Sequence, residues 1–439
     1  FAGNTFAPKT QIDGEPIQDY LQSHYINAIQ QVAKRLKGLT HVIGYDSLNE
    51  PSKGWIGHGD VSEQNNFYQL GASPTPYQSM LLGDGIPTEV DYYEIKGLGV
   101  HKTGNRLLNL DGLRAWQGNQ VGVWRENGVW EYDDQGQPKL LRPQHFSAVK
   151  GQSVNFPNDF LKPFINRFGE AIRQKDPKTV IFMEAVPHKG LPQWTAEDIP
   201  NVVDASHWYD DVTLITKRFR WYASMDLATG RLALGPRRIR ALFRRVLREM
   251  KQRTREKLGE VPTLIGEFGI PFDMYDKRAY RSGKYRKQIV ALDASFQSIE
   301  ANLLHATLWN YTPDNTNAYG DLWNDEDLSI FSRDQQEHPE DINSGARAPE
   351  AFIRPYPIAT AGEPLSLSFK WRRGHFEFSF QGDPSIDAST VLFVPEFHYG
   401  EGIKVEVSDG TYDYMPEEQC LYYTPENLAG EHWVRFVCS

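Results

Sequence analysis

Short apolar runs and helical stripes take turns along the first 350 residues. Runs of strand length fall at 42–49, 180–186, 202–209, 263–268 and 305–311, and apolar stretches of this kind read as strands buried on both faces. Between them lie segments with helical spacing. Residues 20–37 carry Leu21, Tyr25, Ile29, Val32 and Leu36 on one stripe, and residues 160–173 carry Leu161, Phe164, Ile165, Phe168 and Ile172. A third, 237–257, aligns Ile239, Leu242, Phe243, Val246, Leu247 and Met250, with Arg and Lys crowding the rest of its surface. Its basic face has two readings: a solvated outer helix, or a surface that meets an anionic membrane.

Strands alternating with crossover helices describe a parallel sheet, so the fold class is α/β and the expected architecture a (β/α)8 TIM barrel over residues 1–350. Five strands are legible, three fewer than a closed barrel needs. Residues 52–150 interrupt the alternation with much Gly, Trp and Tyr, a stretch too long for an ordinary strand-to-helix loop. It is expected to be a lid or substrate wall. Within it, Trp124 to Trp130 reads as a hairpin turning at Asn127-Gly128, with a further turn at Asp133 to Gly136. After Pro355 the period shortens to alternating runs at 365–371, 375–380, 391–395, 404–407, 421–423 and 433–437. These predict a C-terminal antiparallel β-sandwich over 356–439.

The formal net charge of −10 argues against a polyanion binder, and no nucleic acid is expected as a partner. Nothing approaches the 18 or so consecutive apolar residues of a membrane span. Cys420 and Cys438 are too few for a disulfide-stapled scaffold, although one C-terminal bridge stays open; an intracellular setting, cytoplasmic or vacuolar and peripheral to membranes, is expected. The acidic loop 314–327 lacks the ligand register of an EF-hand and reads as solvated rather than calcium-binding. No metal site and no cofactor are expected. Oligomeric state is not encoded in any legible pattern.

Two of the apolar runs end in a glutamate: Ile43-Gly44-Tyr45-Asp46-Ser47-Leu48-Asn49-Glu50-Pro51 and Leu264-Ile265-Gly266-Glu267-Phe268-Gly269. Strand C-terminal ends carry the catalytic groups of such barrels, and two carboxylates are what glycosidic cleavage requires. One must protonate the leaving oxygen while the other meets the developing oxocarbenium ion. A satisfied structural carboxylate is the lesser alternative for each, since packing does not readily explain paired strand-end positions.

Asn49-Glu50-Pro51 resembles the acid/base strand of family 5 glycoside hydrolases, and Gly266-Glu267-Phe268-Gly269 resembles their nucleophile strand. Ser206-His207-Trp208-Tyr209 is similar to the family's His-x-Tyr pair, and Leu308-Trp309-Asn310 to the tryptophan that floors its sugar subsite. Gly44-Tyr45-Asp46-Ser47-Leu48-Asn49-Glu50-Pro51, Ile265-Gly266-Glu267-Phe268-Gly269 and the C-terminal sandwich narrow the likeness to the endoglycoceramidase-related branch. Within it the insertion and Ala351-Phe352-Ile353-Arg354-Pro355-Tyr356-Pro357 are similar to the fungal steryl glucosidases and glucosylceramidases. The resemblance implies a retaining β-glucosidase of glucosylated lipids, steryl β-glucoside foremost, with a glycosphingolipid hydrolase and an inactive glycolipid-binding barrel as alternatives. Transient membrane-surface contact would accompany such a substrate.

On that footing Glu50 is the acid/base and Glu267 the nucleophile, with Asn49 offering its amide to the sugar 2-hydroxyl. Tyr209 is expected to hydrogen-bond the Glu267 carboxylate, His207 to line the same face and Trp309 to floor the site, with a core role as the lesser alternative for each. Glu184, at the end of its own apolar run, is a weaker candidate for substrate contact. No segment matches the Arg and His that the family carries on its second and third strands. The chain is therefore expected to begin just after the third strand, in the loop Phe1 to Pro8, with the N-terminal barrel strands lying outside it.

Overall fold

The computed structural model describes residues 1–64, 69–96, 99–185 and 190–439. The chain divides into two compact units, Phe1–Val202 and Val203–Ser439. The expected strand 180–186 ends within the described residues at Met183, and its last position lies outside them.

In the first unit, strands Gly44–Asp46 and Val180–Met183 pair in parallel, with Gly44 opposite Val180 and Asp46 opposite Phe182. The pairing requires a glycine. A Cβ on Gly44 would stand 2.2 Å from the Val180 carbonyl oxygen. Helix Lys162–Arg173 buries Phe164, Ile165, Phe168 and Ile172 as its spacing predicts. Helix Ile17–Leu36 departs from expectation, because its buried residues are Ile26 and Ala33 while Leu21 and Val32 are 57% and 44% exposed. It is joined to the neighbouring helix by Arg167 Nη2 donating to Ser23 Oγ at 2.9 Å and Gln30 Nε2 donating to the Ala171 carbonyl at 2.6 Å. Those polar ties turn the Ile26 and Ala33 face inward, and the larger residues of the predicted stripe are left at its edge.

The insertion folds as a three-stranded antiparallel sheet, Gly71–Ser73, Thr88–Lys96 and Gly99–Leu108, with helix Pro76–Gly83 opened by a Thr75 and Gln78 capping box. The hairpin expected at Asn127-Gly128 is instead a helix end. Val123–Glu126 makes one turn, Gly128 takes φ 71°, and the amides of Val129 and Gly128 return to the carbonyls of Trp124 and Arg125 at 2.8 and 3.0 Å. This is a Schellman closure, in which the left-handed glycine serves a helix rather than two strands. The hairpin lies one turn later, pairing Trp130–Tyr132 with Pro138–Leu140 around Asp133 to Gly136.

In the second unit, strands Leu264–Phe268 and His305–Leu308 are parallel, and Asp204 forms a parallel bridge to Thr263. Helix Pro236–Leu258 buries Ile239, Leu242, Phe243, Leu247 and Met250 against Ile265 and Phe268, as its stripe predicts. The sandwich comprises two four-stranded antiparallel sheets, one ordered Gly362–Lys370, His375–Gly382, Glu431–Cys438, Ile403–Val407 and the other Tyr356–Ala359, Thr390–Phe393, Cys420–Thr424, Thr411–Met415. Phe376, Phe378, Phe380, Tyr423 and Phe436 fill its core. The strands that the pattern missed, Tyr356–Ala359 and Thr411–Met415, are edges of one sheet. Edge strands need no apolar alternation, so their residues leave no signature. Both cysteines carry free thiols.

The 314–327 loop corrects the expectation of a solvated acidic segment. Asp321 and Asp327 are buried: Asn315 Nδ2 donates to both carboxylates at 2.8 and 3.0 Å, and Arg347 Nη2 donates to Asp327 Oδ1 at 2.7 Å. Their charge is spent within the fold. Among the described residues no helix is long and apolar enough to cross a membrane.

Candidate active site

The two glutamates belong to different compact units. Glu267 stands on strand Leu264–Phe268, between buried Ile265 and Phe268. Both glycines flanking its motif are demanded by neighbouring backbone. A Cβ on Gly266 would lie 2.2 Å from the Ala205 carbonyl oxygen, and one on Gly269 would lie 2.2 Å from that of Trp309. The close approach is sealed by Trp208 N donating to the Glu267 carbonyl at 3.0 Å, and by Trp309 N donating to the Phe268 carbonyl at 2.8 Å. Gly-Glu-Phe-Gly is thus the local sequence that lets two adjacent chain segments crowd against a strand-end carboxylate.

Two side chains converge on that carboxylate. Tyr209 Oη donates to Glu267 Oε2 at 2.8 Å, and His207 Nδ1 stands 3.4 Å from the same oxygen. The Glu267 side chain keeps 15% of its surface accessible and that of His207 6%, so solvent competes weakly for these contacts. Alternation along the segment explains the convergence: Trp208 points the other way, its ring edge-to-face with Phe243 at 5.3 Å.

Two buried aspartates bracket this segment. Asp204 Oδ1 accepts from Ser206 N at 3.1 Å and Ser206 Oγ at 2.5 Å, while Thr254 Oγ1 donates to its other oxygen. Asp210 accepts from Thr213 Oγ1 at 2.5 Å and Ser224 Oγ at 3.1 Å. Burial pushes both carboxyls above their ordinary range, with the hydroxyl donors pulling the other way. They clamp the backbone on either side of His207 and Tyr209.

Trp309 follows strand His305–Leu308 and is half-buried, its ring edge-to-face with Trp323 at 5.8 Å. The surface exposes Trp323 47% and Tyr311 62%, which leaves flat apolar faces available around Trp309.

In the first unit, Glu50 ends the segment that continues from strand Gly44–Asp46, and both Asn49 and Glu50 are exposed. Glu50 adopts φ 41°, left-handed backbone that a non-glycine residue takes at a cost of about 1 kcal/mol. Its amide donates to Glu184 Oε2 at 2.7 Å, and Glu184 is 3% exposed. The loop before it is held as well: Ser47 N donates to the Phe182 carbonyl at 2.9 Å, and Tyr25 Oη donates to the Ser47 carbonyl at 2.8 Å. Glu184 therefore acts on the backbone of Glu50. It shared the strand-end-carboxylate signal of the other two glutamates. Trp323 and Asp210 escaped notice because loop residues carry no period, and Asp204 because a single acid within the apolar run 202–209 carries no signal of its own.

Residues 354–436 match the glycoside hydrolase family 5 C-terminal domain. The glucosylceramidase of Rhizopus delemar is 35% identical over 97% of this chain, which spans 66% of that protein; the glucosylceramidase of Aspergillus fumigatus is 32% identical over 99% of the chain and 70% of its own length. Among solved structures, sterylglucosidase 1 of Cryptococcus neoformans superposes with a TM-score of 0.90 at 30% identity, covering 100% of this chain and 70% of that one.

Proposed function

The chain belongs to glycoside hydrolase family 5, and we propose that it acts as a retaining exo-β-glucosidase releasing glucose from a glucosylated lipid, a steryl β-glucoside first. The observation that carries the reading is Glu267, a strand-end carboxylate whose Oε2 receives the Tyr209 phenol at 2.8 Å. A carboxylate oriented by a hydrogen-bond donor is fit to attack the anomeric carbon. In that step Glu50 gives its proton to the departing lipid oxygen as the carbon–oxygen bond breaks, and Glu267 forms the glucosyl ester. Water, deprotonated by Glu50, then cleaves the ester, restores Glu267 and delivers glucose with its β configuration retained. The Asn49 amide meets the sugar 2-hydroxyl, and Trp309 offers a face to the ring. A retaining reaction requires the two carboxyl groups about 5 to 5.5 Å apart.

Substrate choice rests on likeness and on exposed apolar surface. The superposition on a sterylglucosidase favours the steryl substrate. Exposed Leu107, Leu110 and Leu113 in the insertion, at 53%, 71% and 72%, suit a wall against a lipid body. The second reading, hydrolysis of glucosylceramide, is favoured by the names of the Rhizopus and Aspergillus relatives. The parallel strands and crossover helices support a (β/α)8 barrel over residues 1–350, followed by the sandwich at 356–439; closure of the barrel calls for strands beyond the five legible ones.

The test offers steryl β-glucoside and glucosylceramide side by side and follows glucose release. Faster release from the steryl glucoside, β-glucose as the first anomer seen by NMR, and loss of turnover in a folded Glu267→Gln variant are the expected results. α-Glucose as first product overturns the retaining mechanism, no glucose from either lipid overturns the activity, and preference for glucosylceramide selects the second reading.

A further inference from the structure

Between Tyr209 and helix Pro236–Leu258 lies a hairpin pairing Ala223–Asp226 with Arg231–Leu234. Its alternation is inverted relative to an ordinary surface hairpin. Ser224 and Ala233 are buried, whereas Leu232 and Leu234 are 64% and 54% exposed. Beside them Trp221 and Tyr222 are 56% and 54% exposed, their rings edge-to-face at 5.8 Å. Gly235 N donates to the Tyr222 carbonyl at 2.8 Å, which sets Tyr222 against the Leu234 end of the hairpin. Four large apolar side chains thus share one small element. Singly exposed leucines need no explanation, but a cluster with a tryptophan at its edge marks an interaction site.

The element is firmly built. Ser224 Oγ donates to Asp210, the residue that follows Tyr209, at 3.1 Å. Tyr275 Oη donates to the Phe219 carbonyl, and Tyr275 N donates to the Lys217 carbonyl at 3.1 Å. The exposed residues are consequently held out on a rigid base tied to the Glu267 end of the unit.

Charge identifies what this surface fits. From position 217 to 248 the basic residues are Lys217, Arg218, Arg220, Arg231, Arg237, Arg238, Arg240, Arg244, Arg245 and Arg248, and Asp226 is the single acid, in a chain of net charge −10. Asp273, Asp276 and Glu249 engage Lys217, Arg218, Arg231 and Arg245. Arg237, Arg240, Arg244 and Arg248 line a surface groove of about 570 Å³ with Gln297 and Asn302. Tryptophan, tyrosine and leucine flanked by guanidinium groups match the boundary between acyl chains and anionic headgroups. Since the molecule as a whole is acidic, this face is the part an anionic surface attracts, and the attraction orients it.

We propose that the Trp221 to Leu234 hairpin and the arginine face of helix Pro236–Leu258 form a docking surface for a bilayer that carries anionic headgroups. The proposal rests on the glycolipid-hydrolase reading for its purpose. Its physical content, vesicle binding through these residues, stands apart from activity.

The test measures flotation of the protein with vesicles of phosphatidylcholine alone or with phosphatidylserine added, neither containing a glycolipid. Binding to the anionic vesicles is expected to exceed binding to the neutral ones by about tenfold and to weaken with salt. Trp221→Ser with Leu232→Ser and Leu234→Ser, and separately Arg237→Gln with Arg240→Gln, Arg244→Gln and Arg248→Gln, should each reduce binding by about tenfold. Leu232→Ser alone supplies a milder variant should the triple one fail to fold. Turnover of a water-soluble aryl β-glucoside should be unchanged in all of them. Equal vesicle binding by the native protein and the variants overturns the proposal, as does absence of binding by the native protein. So does a hairpin variant that changes only the oligomeric state, which would assign the surface to a second copy. Failure to release glucose from any glucoside would leave the vesicle result intact and count against the proposed function alone.

Discussion

Tyr209 Oη donates to Glu267 Oε2 at 2.8 Å, across 58 positions of chain. Tyr209→Phe removes the donor and keeps the ring. At neutral pH kcat/KM should fall by about tenfold, as expected for loss of a hydrogen bond to a charged group. Turnover of an aryl β-glucoside checks this; an unchanged kcat/KM would reduce Tyr209 to packing.

Glu184 holds the backbone of Glu50 in left-handed conformation through the 2.7 Å bond from the Glu50 amide. Replacing it with Leu removes the acceptor and loosens the backbone of Glu50, the proposed acid/base. Losses of about tenfold to a hundredfold in kcat/KM are expected for glucosides with poor leaving groups, which need the proton. Glucosides of acidic phenols should lose far less. Glu184→Gln retains an acceptor oxygen and should recover most of the activity. Equal losses on both substrate classes would show that Glu184 does not act through the proton donor.

Arg354 ties the sandwich to helix Arg286–Glu300. Its guanidinium meets both Glu300 oxygens at 2.6 and 2.9 Å, Asp293 at 2.9 Å and the Phe369 carbonyl at 3.3 Å, all buried. Arg354→Met leaves two buried carboxylates without a counter-charge and should cost about 3–5 kcal/mol in urea unfolding. Adding Glu300→Leu and Asp293→Leu should return much of that loss, since the penalty belongs to the stranded charges. A cost below about 1 kcal/mol for the single variant would show that water reaches the site.

Asp409 in the sandwich has a pKa held down to about 2 from the ordinary 3.8: burial would raise it, but bonds from Tyr423, Ser408, the Asn427 amide and His432 outweigh that effect. Its folded pKa lies below the unfolded one, so its stabilisation is complete above 3.8 and disappears as pH falls toward 2. Thermal melts of the native protein and Asp409→Asn should therefore differ most near neutrality, and the gap should close across that acid window. A gap independent of pH would assign the effect to geometry rather than charge.

Strands Val180–Met183 and Leu264–Phe268 were legible as apolar runs, and helices Lys162–Arg173 and Pro236–Leu258 as apolar stripes, because burial selects such residues. Gly44–Asp46 was legible as a run although it holds no buried residue and Ile43 beside it is 65% exposed. The strand ends at Glu50 and Glu267 were legible for a related reason: an acid after an apolar run, next to glycine or proline, has few structural uses. Gly44, Gly266 and Gly269 read as motif letters, whereas the carbonyl oxygens of Val180, Ala205 and Trp309 that exclude a side chain at each come from segments distant in sequence. The Ile26 and Ala33 face, the grip of Glu184 on the Glu50 amide and the Arg347 bond to buried Asp327 were decided by partners outside their own segments, whereas the Schellman closure at Gly128 is a local choice that the glycine alone leaves open. A single sequence records which residues prefer to be buried and where the backbone bends. Which side chain meets which polar group depends on the packing of elements against one another, and only the tertiary structure brings those partners within hydrogen-bonding distance.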